Sequence, residues 1–359
     1  MSKICIVHQN DGSDVRVGKV CRTLSKQHDV FFLGWDRDGT ADSIDLGNAI
    51  AMIFRKTGSY GVSSIGTRIQ FIIWVLVRIF SLRPATVIAV NEELAFPLLV
   101  LKPFLGFKLI IDIHDPLADR VRKGLFHWIF RFVQSIARYG VNLLLVTDEN
   151  RFQGLDDVYK RKAKIIPNFP NKPNFDVFKK YKTEKDNELR VAYIGSLNDS
   201  RGANILRAAV AKVGGIRIEL AGWYTDSSAR QLGEESYAHY NGILGMQDSL
   251  RLIASCDLVF CFYTPEIKNN INASPNKIYE AICMGKRCII NSETKIASWV
   301  VTNNFGYACA YYDVDALSGI LKFAKDNISA HRTPNEMFLE YAEKRYYWEI
   351  YEHVLYESV

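Results

Sequence analysis

The chain has 359 residues, 48% hydrophobic and 23% charged, with a formal net charge of +6. That length suits two domains of about 150 to 200 residues, and the composition excludes a disordered or fibrous protein. The charge is uneven: residues 1–185 hold 28 Lys and Arg against 18 Asp and Glu (+10), the remainder 17 against 21 (−4), so the first half is expected to meet something anionic.

KICIVH (3–8) reads as a first strand, entered without the charged and apolar regions of a secretory leader, which fits a cytoplasmic protein. A helix over 16–27 and a strand over 29–33 follow. The longest apolar run, 71–77, falls short of the roughly 20 residues of a membrane span. Strands over 86–91, 108–115, 141–148 and 163–168 complete the first half. Such Ile, Leu and Val runs between helical segments predict a parallel sheet covered on both faces. Polar, proline-containing residues 171–188 read as a linker between domains 1–170 and 189–335. The second domain repeats the rhythm at 189–196, 216–223, 240–244, 257–263 and 287–291. Residues 336–359 have helical spacing and are expected to pack back on the first domain. The seven cysteines fall in apolar segments without histidines at ligand spacing, so reduced core residues are expected and no metal site. The fold class is α/β, with two facing Rossmann-like domains that bind ligands at the carboxyl ends of their strands.

The first loop, HQNDGSDVRVGK, lacks G-x-G-x-x-G, which argues against a nicotinamide or flavin enzyme. Gly12 can bring backbone close to a ligand, with Asp14 and Arg16 at the helix start; a plain capped loop has the same spelling. In IGSLNDSRGANIL, a Gly-Ser turn leads to Arg201 at a helix start. Amides, helix dipole and arginine make a diphosphate site, although a surface arginine fits too. NASPNKIYEAICMGK (272–286) supplies a matching wall. Ser274 reads as the N-cap and Pro275 as the first helical residue, with Lys277 adding charge. Glu280, four residues past Asn276, can accept hydrogen bonds from two ribose hydroxyls. The alternative is a pair between Glu280 and Lys277 or Lys286.

These motifs, with IELAGW, YNGILGMQDSLRLIASCDLVFCFY, SDVRVGKVCRTLSKQHDV and VNEELAFPLLVLKPFLGFKLIIDIHD, resemble glycosyltransferase family 4: retaining, nucleotide-sugar-dependent enzymes of GT-B architecture with an interdomain cleft. The resemblance implies that Arg201 and Lys277 bind the donor diphosphate and Glu280 the ribose. It assigns the base to the main chain at Ile243 and Leu244, and the sugar and phosphate to backbone at Ala273, Ser274, Pro275 and Asn276. The Gly12 loop would approach the donor, and His114 would lie near the reacting sugar. Two positions depart from the pattern: Asn272 replaces the first glutamate of E-x7-E, and Ser196 stands where arginine is common. A UDP- or GDP-linked sugar is the implied donor. No other cofactor is required, since Arg201, Lys277 and helix N-termini stabilise the leaving diphosphate. The D-x-D spacing at Asp36 to Asp38 lies in an apparent loop.

TRIQFIIWVLVRIFSLRP and ADRVRKGLFHWIFRFVQSIARYG set Arg68, Arg78, Arg83, Arg122, Lys123, Arg131 and Arg138 among aromatic and aliphatic residues. This fits helices in an anionic membrane interface, or amphipathic helices packed on the sheet. The expectation is a peripheral membrane transferase, at the cytoplasmic face, acting on a glycan or lipid-linked acceptor in polysaccharide or surface-glycan synthesis. A nucleotide-sugar 2-epimerase-like enzyme and a non-catalytic nucleotide-sugar-binding or membrane scaffold subunit remain as alternatives. No nucleic-acid-binding module is recognised.

Overall fold

The computed structural model describes residues 2–39, 45–58, 65–120, 124–176, 178 and 188–359. Two compact units emerge: Met1–Asn168 with Tyr351–Val359, and Phe169–Ile350.

The first unit is built on seven parallel strands: β1 (Lys3–Val7), β2 (Asp29–Asp36), β3 (Ile50–Arg55), β4 (Thr86–Val90), β5 (Lys108–Ile113), β6 (Leu143–Val146) and β7 (Ala163–Ile165), in the order β3-β2-β1-β4-β5-β6-β7. The second holds six: β8 (Leu189–Leu197), β9 (Ile216–Tyr224), β10 (Ala238–Tyr240), β11 (Leu258–Cys261), β12 (Arg287–Asn291) and β13 (Gly306–Cys309), in the order β10-β9-β8-β11-β12-β13. The expected pair of parallel α/β domains is therefore present. In each sheet the order reverses beside the first strand, between β1 and β4 and between β8 and β11. Open sheets of this kind bind ligands at that switch point.

The two strands absent from the sequence reading, β3 and β13, are sheet edges. Half-covered edges need no continuous apolar run, and β3 is only partly buried. The strand expected at 240–244 ends at Tyr240, because Gly242 at φ +76° turns the chain away. β2 reaches Asp36, so the D-x-D spacing begins at a strand end rather than in a loop. The Asp36 carboxylate is occupied there by the amides of Asp38 (3.2 Å) and Gly39 (2.7 Å). All seven cysteines are buried and none is in a disulfide. Of the segment expected as a linker, residues 177 and 179–187 lie outside the described residues, while Phe175 and Phe178 are buried. The tail forms the helix Glu336–Arg345, a 3-10 turn Trp348–Tyr351 and the helix Glu352–Tyr356. Glu352 of the last takes hydrogen bonds from Thr23 (2.8 Å) and Lys26 (2.9 Å).

Helices Ile65–Leu82, Glu92–Leu98 and Leu125–Gly140 pack side by side over one face of the first sheet. The first is long and apolar enough, by length and composition, to cross a membrane, contrary to the reading from its uninterrupted run. It lays Phe71, Val75 and Ile79 on the sheet and exposes Ile65, Ile69, Ile73, Val77 and Phe80 along the opposite side. Leu125–Gly140 likewise exposes Leu125, Trp128, Ile129, Phe132 and Tyr139. Of the basic residues expected on this face, Arg78 and Arg131 are exposed beside Trp74 and Trp128. Arg138 is instead buried, donating to Glu92 at 2.6 Å, because it points into the layer between two helices. Arg122 and Lys123 lie outside the described residues.

Candidate functional site

In the second unit the candidate residues gather around the carboxyl ends of β8 and β11. Gly195 (φ +122°) and Gly222 (φ +129°) pair across β8 and β9, and a Cβ on Gly222 would stand 1.8 Å from the Gly195 carbonyl oxygen. Only glycine fits there. Ser196 Oγ accepts from Asn198 Nδ2 at 2.9 Å, and Asn198 also reaches Thr225 at 2.8 Å, which shapes the loop. A 3-10 turn, Asp199–Arg201, then leads through Gly202 into the helix Ala203–Val213. The Arg201 guanidinium lies 3.6 Å from the Tyr263 ring centre. Its Nη1 is buried and has no hydrogen-bond partner among the described residues. The Thr264 amide donates to the Ser200 carbonyl at 2.8 Å, tying the loop after β11 to the loop after β8.

The helix in the 272–286 motif spans Asn276–Cys283, one residue later than expected. Ser274 does not cap it, because its hydroxyl bonds the Tyr279 hydroxyl at 2.6 Å. Pro275, at φ −64° and ψ 131°, is the cap and Asn276 opens the helix. Of the backbone expected to face sugar and phosphate, the Ala273 amide already donates to Asn270 at 3.1 Å, and proline has no N–H. Neither of these two positions offers an amide to a ligand. Asn272 is half-buried at the end of the short helix Lys268–Ile271.

Glu280 pairs with Lys277 at 2.6 Å, yet not on a solvated face: only 16% and 26% of the two side chains are accessible. Lys286 is buried elsewhere, 3.4 Å from the Arg332 carbonyl. Burial brings its pKa down to about 8 against the pull of Asp257. Lys277, Glu280 and Arg201 all lie within electrostatic reach of the buried Cys261 thiol at the end of β11. Ile243 and Leu244 lie further out, in the loop after the edge strand β10. The Gly222 amide donates to the Gly242 carbonyl at 2.8 Å and pins that loop, while Ile243 is 71% exposed.

In the first unit, Gly12 (φ +100°) donates to Asn10 Oδ1 at 3.1 Å, and Asp14 caps the helix Val15–Leu24 through the Val17 amide at 2.9 Å. Arg16 does not face a ligand. It is buried, with Nη2 2.7 Å and Nε 3.0 Å from the Asp112 carboxylate and Nη1 2.7 Å from the Ile166 carbonyl. His114, just past β5, places Nε2 3.1 Å from Asp112 Oδ2, and its Nδ1 lies 3.9 Å from Asp14 Oδ2. Burial would raise the pKa of Asp112, but Arg16 and His114 together hold it well below the ordinary carboxylate range. Asn91, at the end of β4, accepts the amides of His114 (2.9 Å) and Asp115 (3.1 Å) on its side-chain oxygen. It does so at φ +66°, a strained conformation of the kind that clusters at functional sites.

Asp112, Asn91 and Tyr263 were missed in the sequence. A usable signal existed for the first, since residues two apart on a strand share a face and Asp112 precedes His114 by two. Among the described residues no group of three His, Cys, Asp or Glu side chains could hold a metal ion.

No protein-family model matches the chain, and no curated protein matches it by sequence. Solved structures do resemble it. Sucrose-phosphate synthase from Thermosynechococcus elongatus superposes with a TM-score of 0.78 at 12% identity, covering 99% of this chain and 98% of that one. HepE of Anabaena, in complex with UDP and glucose, gives 0.74 at 15% identity over 100% and 99%. WaaG, a glycosyltransferase involved in lipopolysaccharide biosynthesis, gives 0.68 at 14% over 99% and 98%. The chain thus has the GT-B fold, with likeness along its full length.

Proposed function

We propose that this protein is a retaining glycosyltransferase of the family 4 type, which moves a sugar from a UDP- or GDP-linked donor to a glycan or lipid-linked acceptor. The observation that carries the reading is Arg201: a guanidinium beside a helix start at the switch point, with a buried nitrogen that has no hydrogen-bond partner among the described residues. A buried unpaired donor of this kind calls for a ligand, and a diphosphate satisfies both its charge and its hydrogen-bonding capacity. Lys277 and Glu280 complete the donor site, the first turning to phosphate and the second to ribose once their mutual bond opens. The UDP and glucose bound to HepE support this donor class. Asn272 holds a donor-sugar hydroxyl without adding negative charge near the reacting carbon.

We further assign the outward apolar face of the first unit, with Arg78 and Arg131 on it, to the surface of an anionic membrane at its cytoplasmic side. The lipopolysaccharide pathway of WaaG is consistent with a lipid-linked acceptor and with a role in surface-glycan assembly.

The test is a thermal-unfolding panel of UDP, GDP, ADP and their sugars, followed by product analysis. One nucleotide at 100 times its dissociation constant should stabilise the fold by about 2.7 kcal/mol. Glu280→Ala should lose most of that shift. No shift with any nucleotide would sink the reading, and turnover of a nucleotide sugar without acceptor would transfer it to an epimerase. The anomeric configuration of the product decides retention.

A further inference from the structure

At the carboxyl ends of β9 and β10 the aromatic side chains are of two kinds. Tyr224 and Tyr240 stack on each other with ring centres 4.6 Å apart, and the Tyr240 hydroxyl donates to the Gly222 carbonyl at 2.6 Å. Trp223 is 53% exposed and has no ring stack, cation–π contact or hydrogen bond among the described residues. A lone exposed tryptophan is not a site; its place in the sheet is what matters. Leu220 of β9, Leu197 of β8 and, on β11 and just past it, Phe260 and Phe262 all point into one core cluster. Trp223, Ser196 and Tyr263, each an odd number of residues away, therefore stand on the opposite face. Ser196 pairs directly with Trp223. The β8–β11 register, which sets Val259 beside Ala192, brings Tyr263 beside Ser196 when carried on four residues. The three form one row across the strand ends, and the Arg201 guanidinium lies 3.6 Å from the Tyr263 ring centre. Cys261, within reach of Lys277 and Glu280, belongs to the same face.

We propose that Trp223 is the platform on which the base of the donor nucleotide stacks. The inference rests on the reading of Arg201 as the diphosphate site. Neighbouring strands lie about 4.8 Å apart, so the indole is anchored about 10 Å along the row from the strand position under Arg201. A diphosphate on the open Nη1 of Arg201 leaves that gap for the ribose to bridge. Ser196 stands between them with a small side chain turned to Asn198 at 2.9 Å, so the middle of the row is low. The nucleotide then lies across the strand ends, its phosphates over β11 and its base over β9. An indole face stacks on any base, so Trp223 supplies affinity for the nucleoside without choosing uracil over guanine.

Calorimetry on the full chain tests the stack, with UDP, UDP-glucose, GDP and inorganic pyrophosphate as probes. The wild type is compared with Trp223→Ala, Trp223→Phe and Arg201→Ala, each checked for folding by thermal unfolding. The nucleotide that binds the wild type should lose about 5- to 150-fold in affinity with Trp223→Ala, the range for one base stacked on an aromatic ring. Trp223→Phe keeps a ring and should recover most of that loss. Pyrophosphate has no base and should bind both Trp223 variants as it binds the wild type. The proposal is overturned if Trp223→Ala binds nucleotide within about twofold of wild type, or if Trp223→Phe is no better than Trp223→Ala. Pyrophosphate affinity falling in step with the nucleotide's overturns it too. A loss with UDP-glucose but not with UDP puts the ring against the sugar, and likewise overturns it. If Arg201→Ala weakens nucleotide binding and Trp223→Ala does not, only the platform is wrong. If the wild type binds no nucleotide at all, the donor-site reading itself falls.

Discussion

The two switch points solve opposite problems. In the first unit several charged and polar groups are tied to one another: Arg16 grips Asp112, Asp112 grips His114, and Asn91 holds the loop that carries the histidine. In the second unit the charges are only loosely settled, since Arg201 has an orphan nitrogen and Lys277 and Glu280 have each other. On the proposed reading, a diphosphate needs charge that is not yet neutralised, which the second unit keeps and the first does not. The difference separates a network closed on itself from charges open to a ligand.

The contrast breaks most visibly at Arg16. Arg16→Met leaves a buried carboxylate without its partner and should cost about 3–5 kcal/mol of stability in denaturant unfolding at pH 7. The sign with pH is fixed by the lowered pKa of Asp112. Its contribution is present above the unfolded value of 3.8 and is lost as pH falls towards the lower folded value. The gap between wild type and Arg16→Met should therefore narrow below about pH 3.8. His8 adds a loss common to both proteins. Its neutral folded form, favoured by burial, contributes fully above pH 6.5 and loses that stability as pH falls towards about 4. A gap that stays constant through pH 3 would show that Asp112 does not depend on Arg16.

Arg201 tests the other side. Arg201→Ala should cost only about 0.5–2 kcal/mol of stability, for its stack on Tyr263, because no internal hydrogen bond of Nη1 is lost. Its rate of transfer should fall about 100- to 1,000-fold, or ~2.7–4 kcal/mol, as for removal of a group that stabilises a developing anion. Arg201→Lys should recover part of the rate, a point charge replacing a planar fork. If the substitution unfolds the protein without weakening nucleotide binding, Arg201 is a structural stack on Tyr263 and the two sites are not opposites.

The sequence displayed the strand-end loops of the second unit better than those of the first, for a physical reason. Such loops are local: a strand end, a glycine, an arginine and a helix start lie within a dozen residues, so Ser196 to Gly202 and Asn272 to Glu280 were readable together. The exact cap at Pro275 was not, because a side-chain bond from Ser274 to Tyr279 decides it. The Arg16–Asp112 pair joins residues 96 positions apart, and no local pattern announces such a partner. Central strands were legible from their apolar runs, while β3 and β13, half-covered at the edges, were not. Composition also hid the division of labour among basic residues, since Arg131 and Arg138 read alike but only Arg131 faces outward.

That last pair gives the gentlest test, and it concerns the outer face of the first unit rather than its strand ends. Phe132, 65% exposed on Leu125–Gly140, has no place in either strand-end site. If the apolar face meets a membrane, Phe132→Ala should weaken binding to vesicles of anionic phospholipid by roughly 1.5–3 kcal/mol, the value of burying one such side chain. Arg131→Gln should remove about 1 kcal/mol, and only at low salt. Nucleotide binding and thermal stability should stay within about 0.5 kcal/mol of wild type in both, as for other surface substitutions. Vesicle flotation reads the first effect and its salt dependence the second. Should Phe132→Ala instead lower the molecular mass in sedimentation and leave flotation unchanged, the face joins two copies of the chain, and the membrane assignment is wrong.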